Sequence, residues 1–229
     1  MRARRKKHLD ERAEKQAFYI PVSKTSDVLG LPESERYAVK TASDLFGNDN
    51  PLVLEIVCGK GRFIIEHAKR HPNLNFIGVE VQLNVIISGA ETACNEGFKN
   101  VKFFNCGAEI LPYELEKESV EKLYLNFSCP YPKKQYENHR LTYYRFLDIY
   151  KYLLKKGATI ELKTDNDAFF EYSVNSLKEN GFEILYLTTD LHSENDVENV
   201  VTEYEEKFVN LGKNINKLIA REKLWKFIK

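Results

Sequence analysis

The chain has no net charge, because 34 lysines and arginines balance 34 aspartates and glutamates. A uniformly cationic surface that gathers nucleic acid from all sides is therefore excluded, and any cationic patch must be local. Long apolar runs are also missing. Stretches such as Val85-Ile86-Ile87 fall far short of the roughly 20 residues that cross a bilayer. No apolar stretch follows the basic N-terminus, which argues against a secretory signal, and Asp10, Glu11 and Glu14 argue against an acid-poor transit peptide. Cysteine is scarce: the four are Cys58, Cys94, Cys106 and Cys129. None are paired at metal-ligand spacing or accompanied by histidine in a zinc pattern, so no metal site is expected. Reduced thiols in a cytoplasmic protein are expected instead. There is no internal repeat and no low-complexity tract.

The charge that is present is uneven. Residues 1–15 carry Arg2, Arg4, Arg5, Lys6, Lys7, Arg12 and Lys15 against three acids, and residues 213–229 carry six basic residues against Glu222 alone. Such ends are solvated arms or phosphate contacts, and charge alone favours solvated arms. Residues 1–50 are expected to form a basic, mobile arm and a lead-in helix near 37–46. The breakers Gly47-Asn48-Asp49-Asn50-Pro51 then open a domain over 51–229. Short apolar runs at 52–57, 75–81, 101–106, 122–128, 158–163 and 182–188 predict strands, with a possible seventh at 214–221. Helical periodicity falls between them at 62–70, 84–96, 141–155 and 167–180. This alternation predicts an α/β fold: a Rossmann-like, mainly parallel sheet with helices on both faces.

Ligands of such sheets sit beyond the carboxyl ends of the strands. After the first strand the chain reads Glu55-Ile56-Val57-Cys58-Gly59-Lys60-Gly61. Gly59 and Gly61 let the backbone approach a ligand closely, and the next helix turns free N–H groups toward the same spot. The third glycine of a dinucleotide fingerprint is missing, which disfavours a pyrophosphate. Glu80 ends the second strand about 20 residues on, the distance at which an acid reaches a ribose hydroxyl pair. Glu55 is placed to meet a cationic amino-acid end. Together these features favour a nucleoside cofactor such as S-adenosyl-L-methionine.

Residues 123–134, Leu-Tyr-Leu-Asn-Phe-Ser-Cys-Pro-Tyr-Pro-Lys-Lys, resemble the N-F-S-D-P-W-P-K-K signature of bacterial tRNA (guanine-N7-)-methyltransferases. Lys163-Thr164-Asp165-Asn166 resembles their K-T-D-N segment, and Thr202-Glu203-Tyr204-Glu205-Glu206-Lys207-Phe208 their T-E-Y-E-x-K-F segment. The resemblance implies a class I methyltransferase fold with a seven-stranded sheet. It also implies methyl transfer from S-adenosyl-L-methionine to guanine N7 in the tRNA variable loop, by a monomer or a homodimer. Carried over by motif, Glu55, Gly59, Gly61, Glu80, Gly107, Ala108 and Cys129 would hold the cofactor. Lys133, Asp165, Thr202, Glu203, Tyr204 and Glu205 would meet the nucleotide, with Asp165 and Cys129 at the catalytic positions.

The chain also departs from that family. Val57 stands where the family has glycine, and Gly107 and Cys129 where it has aspartate. Tyr131 stands where it commonly has tryptophan, and the segment after the lysines is less basic. Cys129-Pro130 also resembles the cysteine–proline pair of pyrimidine-C5 methyltransferases, whose cysteine is a nucleophile. Ser128-Cys129-Pro130-Tyr131 is a weak match to the motif of exocyclic-amino methyltransferases. Two functions stay open: an active methyltransferase, or a tRNA-binding member with little turnover.

Overall fold

All five residues of Leu52–Ile56 (β1) are buried, as an aliphatic strand covered on both faces should be. The computed structural model describes residues 5–21, 39–194 and 199–223. After Leu9–Lys15 (α1) and Ala42–Phe46 (α2), strands and helices alternate as β1, Arg62–Arg70 (α3), Asn75–Val79 (β2), Leu83–Asn95 (α4) and Val101–Phe104 (β3). Leu111–Glu114 (α5), Val120–Asn126 (β4), Tyr144–Leu153 (α6), Leu154–Thr164 (β5), Asp167–Glu179 (α7) and Phe182–Thr188 (β6) follow. Glu203–Val209 (α8) and Asn216–Glu222 (β7) complete the described elements.

Among the described residues the strands form one seven-stranded sheet in the order β3-β2-β1-β4-β5-β7-β6. The first five in this order are parallel neighbours, and β7 runs antiparallel to both β5 and β6. Order reverses between β1 and β4, so a crevice opens at their carboxyl ends. One apolar cluster, including Leu54, Ile77, Phe104, Leu123, Leu147 and Ile160, fills one side of the sheet. A second, including Phe63, Ile64, Phe76, Ile86, Phe103 and Tyr124, fills the other.

Several expectations shift. The helix expected over 141–155 stops at Leu153, because Leu154 adopts an extended conformation and pairs with Val120. β2 and β3 end two residues early, leaving Glu80, Asn105 and Cys106 outside the strands. The lead-in helix is only Ala42–Phe46, capped by Thr41 through a reciprocal box with Asp44; residues 37 and 38 lie outside the described residues, as do Arg2, Arg4, Lys226 and Lys229.

Residues 5–21 pack against the domain. Leu9 and Tyr19 are buried. Arg12 donates two hydrogen bonds of 2.7 Å to Glu91 on α4. The Phe103 N–H donates to the Tyr19 carbonyl at 2.7 Å, which occupies a donor on the edge strand β3. Over the described part of the basic tail, Lys213, Lys217 and Arg221 pair with Asp165, Glu161 and Glu183.

Candidate active site at the carboxyl edge of the sheet

The glycine turn is held against β2 by the N–H groups of Val57 and Cys58, both donating to the Val79 carbonyl at 2.8 and 3.0 Å. Gly59 and Gly61 take φ of 58° and 79°, the left-handed region that favours glycine. A Cβ at Gly59 would point into open space, so the turn presents bare backbone outward. On its inner side α4 comes close: a Cβ on Gly89 would stand 2.6 Å from the Lys60 carbonyl oxygen. Val57 also takes a left-handed φ, 64°, and is 43% exposed. The turn therefore keeps its shape without the family glycine, at the cost of backbone strain.

Glu55 lies at the bottom of the crevice, 2% exposed. Its Oε1 accepts from Asn126 Nδ2 at 2.9 Å. Its Oε2 and Asn126 Oδ1 are buried without a hydrogen-bond partner among the described residues, and so is Ser128 Oγ nearby in sequence. Burial raises the Glu55 carboxyl to about 8, opposed by the Asn126 bond and by Lys163. Unmet buried acceptors cost stability unless a donor arrives. A ligand ammonium is the chemistry that satisfies them.

Glu80 sits at the neighbouring strand end, its Oε1 accepting from the Gln82 N–H at 2.9 Å. Burial raises its carboxyl, while the N–H groups of Gln82, Gly59 and Val81 act to lower it. The Glu80 N–H donates to the Phe104 carbonyl and Asn105 Nδ2 to the Glu80 carbonyl, each at 3.0 Å. These bonds fix the loop carrying Gly107 and Ala108 beside Glu80.

The β4 loop forms the other wall. Phe127 and Tyr131 take left-handed φ of 51° and 41°. Arg140 pins the loop, donating from Nε to the Pro130 carbonyl at 3.1 Å and from Nη2 to the Tyr131 carbonyl at 3.0 Å. Cys129 and Lys133 are exposed on this loop. At the end of β5, Asp165 accepts from Lys213 Nζ at 3.0 Å.

α8 closes the site. Thr202 and Glu205 cap it reciprocally, and both are buried. Glu205 Oε2 accepts from Lys163 Nζ at 2.7 Å, Oε1 from Asn199 Nδ2 at 2.6 Å, and His192 Nε2 lies 3.1 Å from Oε1. Lys163 also donates to the Asn199 side chain and the Val200 carbonyl, each at 3.0 Å. Glu205 is thus enclosed and holds the helix in place. Glu203 and Tyr204 face outward; Glu203 pairs with Lys60 of the glycine turn at 3.0 Å, and Tyr204 is 58% exposed. The rings of Phe127, Tyr204 and Phe208 stand mutually 6.4 Å apart, with planes within 28° of parallel.

The structure thus brings Glu55, Gly59, Gly61, Glu80, Gly107 and Ala108 to one side of the crevice, and Cys129, Lys133, Asp165 and α8 to the other. Sequence reasoning missed Asn126, Lys163, Phe127, Phe208 and Arg140. Asn126 and Lys163 lay inside quoted motifs, and their burial at strand ends was the available signal. Contacts such as Arg140 with the β4 loop left none.

A family model described as "Putative methyltransferase" matches residues 49–218. The tRNA (guanine-N(7)-)-methyltransferase of Geobacillus kaustophilus (strain HTA426) is 46% identical over 188 residues, covering 82% of this chain and 85% of the relative. That of Bacillus subtilis (strain 168) is 42% identical, covering 81% and 90%. That of Streptococcus agalactiae serotype III (strain NEM316) is 37% identical, covering 96% and 100%. Among solved structures, an antibiotic-related methyltransferase superposes with a TM-score of 0.62 at 19% identity, over 81% of this chain and 96% of that one. The 16S rRNA methyltransferase KamB does so at 0.61 and 12% identity, over 81% and 95%. These structures share the fold. On the sequence relatives and the matching family model together, the chain belongs to the tRNA (guanine-N(7)-)-methyltransferase family.

Proposed function

We propose that the protein transfers a methyl group from S-adenosyl-L-methionine to N7 of a guanine in the variable loop of tRNA, in the cytoplasm. The observation that carries the cofactor is the unmet acceptor pair, Glu55 Oε2 and Asn126 Oδ1, buried at the foot of an open glycine turn. An amino-acid ammonium fits those acceptors. Glu80 fits the ribose hydroxyls, and the bare backbone at Gly59 leaves room between them. The bound cofactor supplies an electrophilic methyl group on a cationic sulfur.

Guanine N7 carries an in-plane lone pair and loses no proton before attack. The protein's task is therefore alignment and compensation of the positive charge that develops on the base. Asp165 follows the carboxyl end of β5 and fits the second role, and its partner Lys213 is half-exposed. Tyr204, with Phe127 and Phe208, offers a surface on which a purine can stack. Thr202 and Glu205 act by fixing α8, and Lys133 is placed to meet a phosphate. Cys129 is exposed and needs no covalent role, since the base attacks directly.

Purified protein, methyl-labelled cofactor and unmodified tRNA test the reading. Label recovered in 7-methylguanosine is expected. Label in a pyrimidine, or tRNA binding without transfer, would overturn it. The sequence relatives are named as methyltransferases, and nothing favours the non-catalytic alternative.

A further inference from the structure

Gly107 lies on the loop that follows β3 and is held beside Glu80. Its backbone does not require glycine: φ is −84° and ψ is 162°, an extended conformation open to any residue. What a side chain at 107 would meet is the end of the exposed Glu109 side chain, which it would have to displace. A Cβ built on Gly107 would lie 2.6 Å from the Glu109 carboxyl carbon and 2.8 Å from its Oε1. The Glu109 carboxylate therefore lies folded back over the Gly107 backbone, where a side chain at 107 would begin.

That position has a chemical meaning along the sheet edge. The crevice runs from the glycine turn after β1 to Glu80 after β2 and on to the loop after β3. The Glu80 N–H bond to Phe104 and the Asn105 bond to Glu80 hold this loop alongside. A nucleoside whose ribose meets Glu80 and whose amino-acid arm meets Glu55 directs its base toward residues 107–109. Adenine presents there an exocyclic amino donor, and an ionised carboxylate is an acceptor only.

We propose that Glu109 supplies the carboxylate that accepts from the adenine amino group of the cofactor, taking the place of the acid that the family resemblance puts at position 107. The assignment rests on the cofactor reading above and adds a base-selecting residue to it. Glu109 is exposed, so its replacement leaves the core intact.

Calorimetric titration of the protein with S-adenosyl-L-methionine, and with its deaminated analogue bearing hypoxanthine, tests it. Hypoxanthine turns an oxygen acceptor toward the carboxylate. The wild-type protein is expected to prefer the adenine form by roughly tenfold or more, the size of one charge-assisted hydrogen bond. Glu109→Ala should weaken the adenine form by about that factor and abolish the preference. Gly107→Asp added to Glu109→Ala should restore it, since the obstructing carboxylate is then gone. If Glu109→Ala retains the preference, or weakens both forms equally, Glu109 does not read the base. Wild-type binding without preference also defeats the assignment while leaving the cofactor reading standing. No wild-type binding of either form defeats both.

Discussion

Val57 and Glu55 occupy the same turn and store free energy in different ways. A β-branched residue at φ 64° costs on the order of 1–3 kcal/mol. Glycine there relieves the strain but adds chain entropy to the unfolded state. Val57→Gly should still stabilise the protein by about 1 kcal/mol, raising Tm by about 2–4 °C in a chain of this size. Scanning calorimetry reads this directly, and an unchanged or lower Tm would mean that the turn is relaxed with valine in place. Glu55 stores its energy as a proton. Its carboxyl titrates at about 8 when folded against an ordinary value of 4.5, so the folded state holds a proton that the unfolded chain has lost across that window. Stability at this site therefore falls as pH rises from 4.5 to about 8, then levels off. Cofactor affinity should follow the opposite trend. A cation binds the carboxylate form, so affinity should rise by up to about tenfold per pH unit and flatten near the folded pKa. Titrations across this range, beside Glu55→Gln, check the prediction. Equal pH dependence in wild type and variant would remove Glu55 as the cause.

Helices and strands differ in how plainly the sequence declares them. α3 and β6 run over the expected residues because apolar periodicity and flanking glycines agree there. The α6–β5 boundary was hidden because Leu153 and Leu154 are both buried, one ending a helix and the other opening a strand. The insertion of β7 between β5 and β6 is a tertiary pairing that no local pattern encodes. The site divides in the same way. Glu55, Gly59, Gly61 and Glu80 were legible because strand ends and spacing place them, whereas the Asn126–Glu55 bond joins residues 71 apart. Glu205 is the sharpest case. Glu203-Tyr204-Glu205-Glu206 reads as a solvated helix face, yet Glu205 and Lys163 have fully buried side chains. Removing one partner strands the other charge, so Glu205→Ala should cost about 3–5 kcal/mol in urea unfolding. Lys163→Met combined with Glu205→Leu should cost clearly less than either single change, because no lone charge stays buried. A double variant as unstable as the sum of the singles would show that the pair does not act as a unit. The exposed Lys60–Glu203 and Arg62–Glu206 pairs contribute little by comparison.

At the scale of the whole molecule, a neutral chain proposed to act on a polyanion must concentrate its free positive charge. Much of the basic character of its described ends is committed to internal pairs: Arg12 with Glu91, Lys213 with Asp165, Lys217 with Glu161 and Arg221 with Glu183. Docking of α1 on α4 and insertion of β7 into the sheet thus give structure to the described parts of two basic ends. Lys133 and Lys134 differ, since both are exposed on the loop after β4 that walls the site. Each lysine that displaces a counterion from RNA adds about 0.7–0.9 to the slope of log affinity against log salt. Lys133→Ala with Lys134→Ala should therefore flatten the slope for tRNA by about 1.5, while cofactor affinity and Tm stay unchanged. Fluorescence titrations between low and physiological salt measure it. An unaltered slope would move the phosphate contacts away from this loop, and a changed cofactor affinity would mean that the lysines support the pocket rather than the RNA.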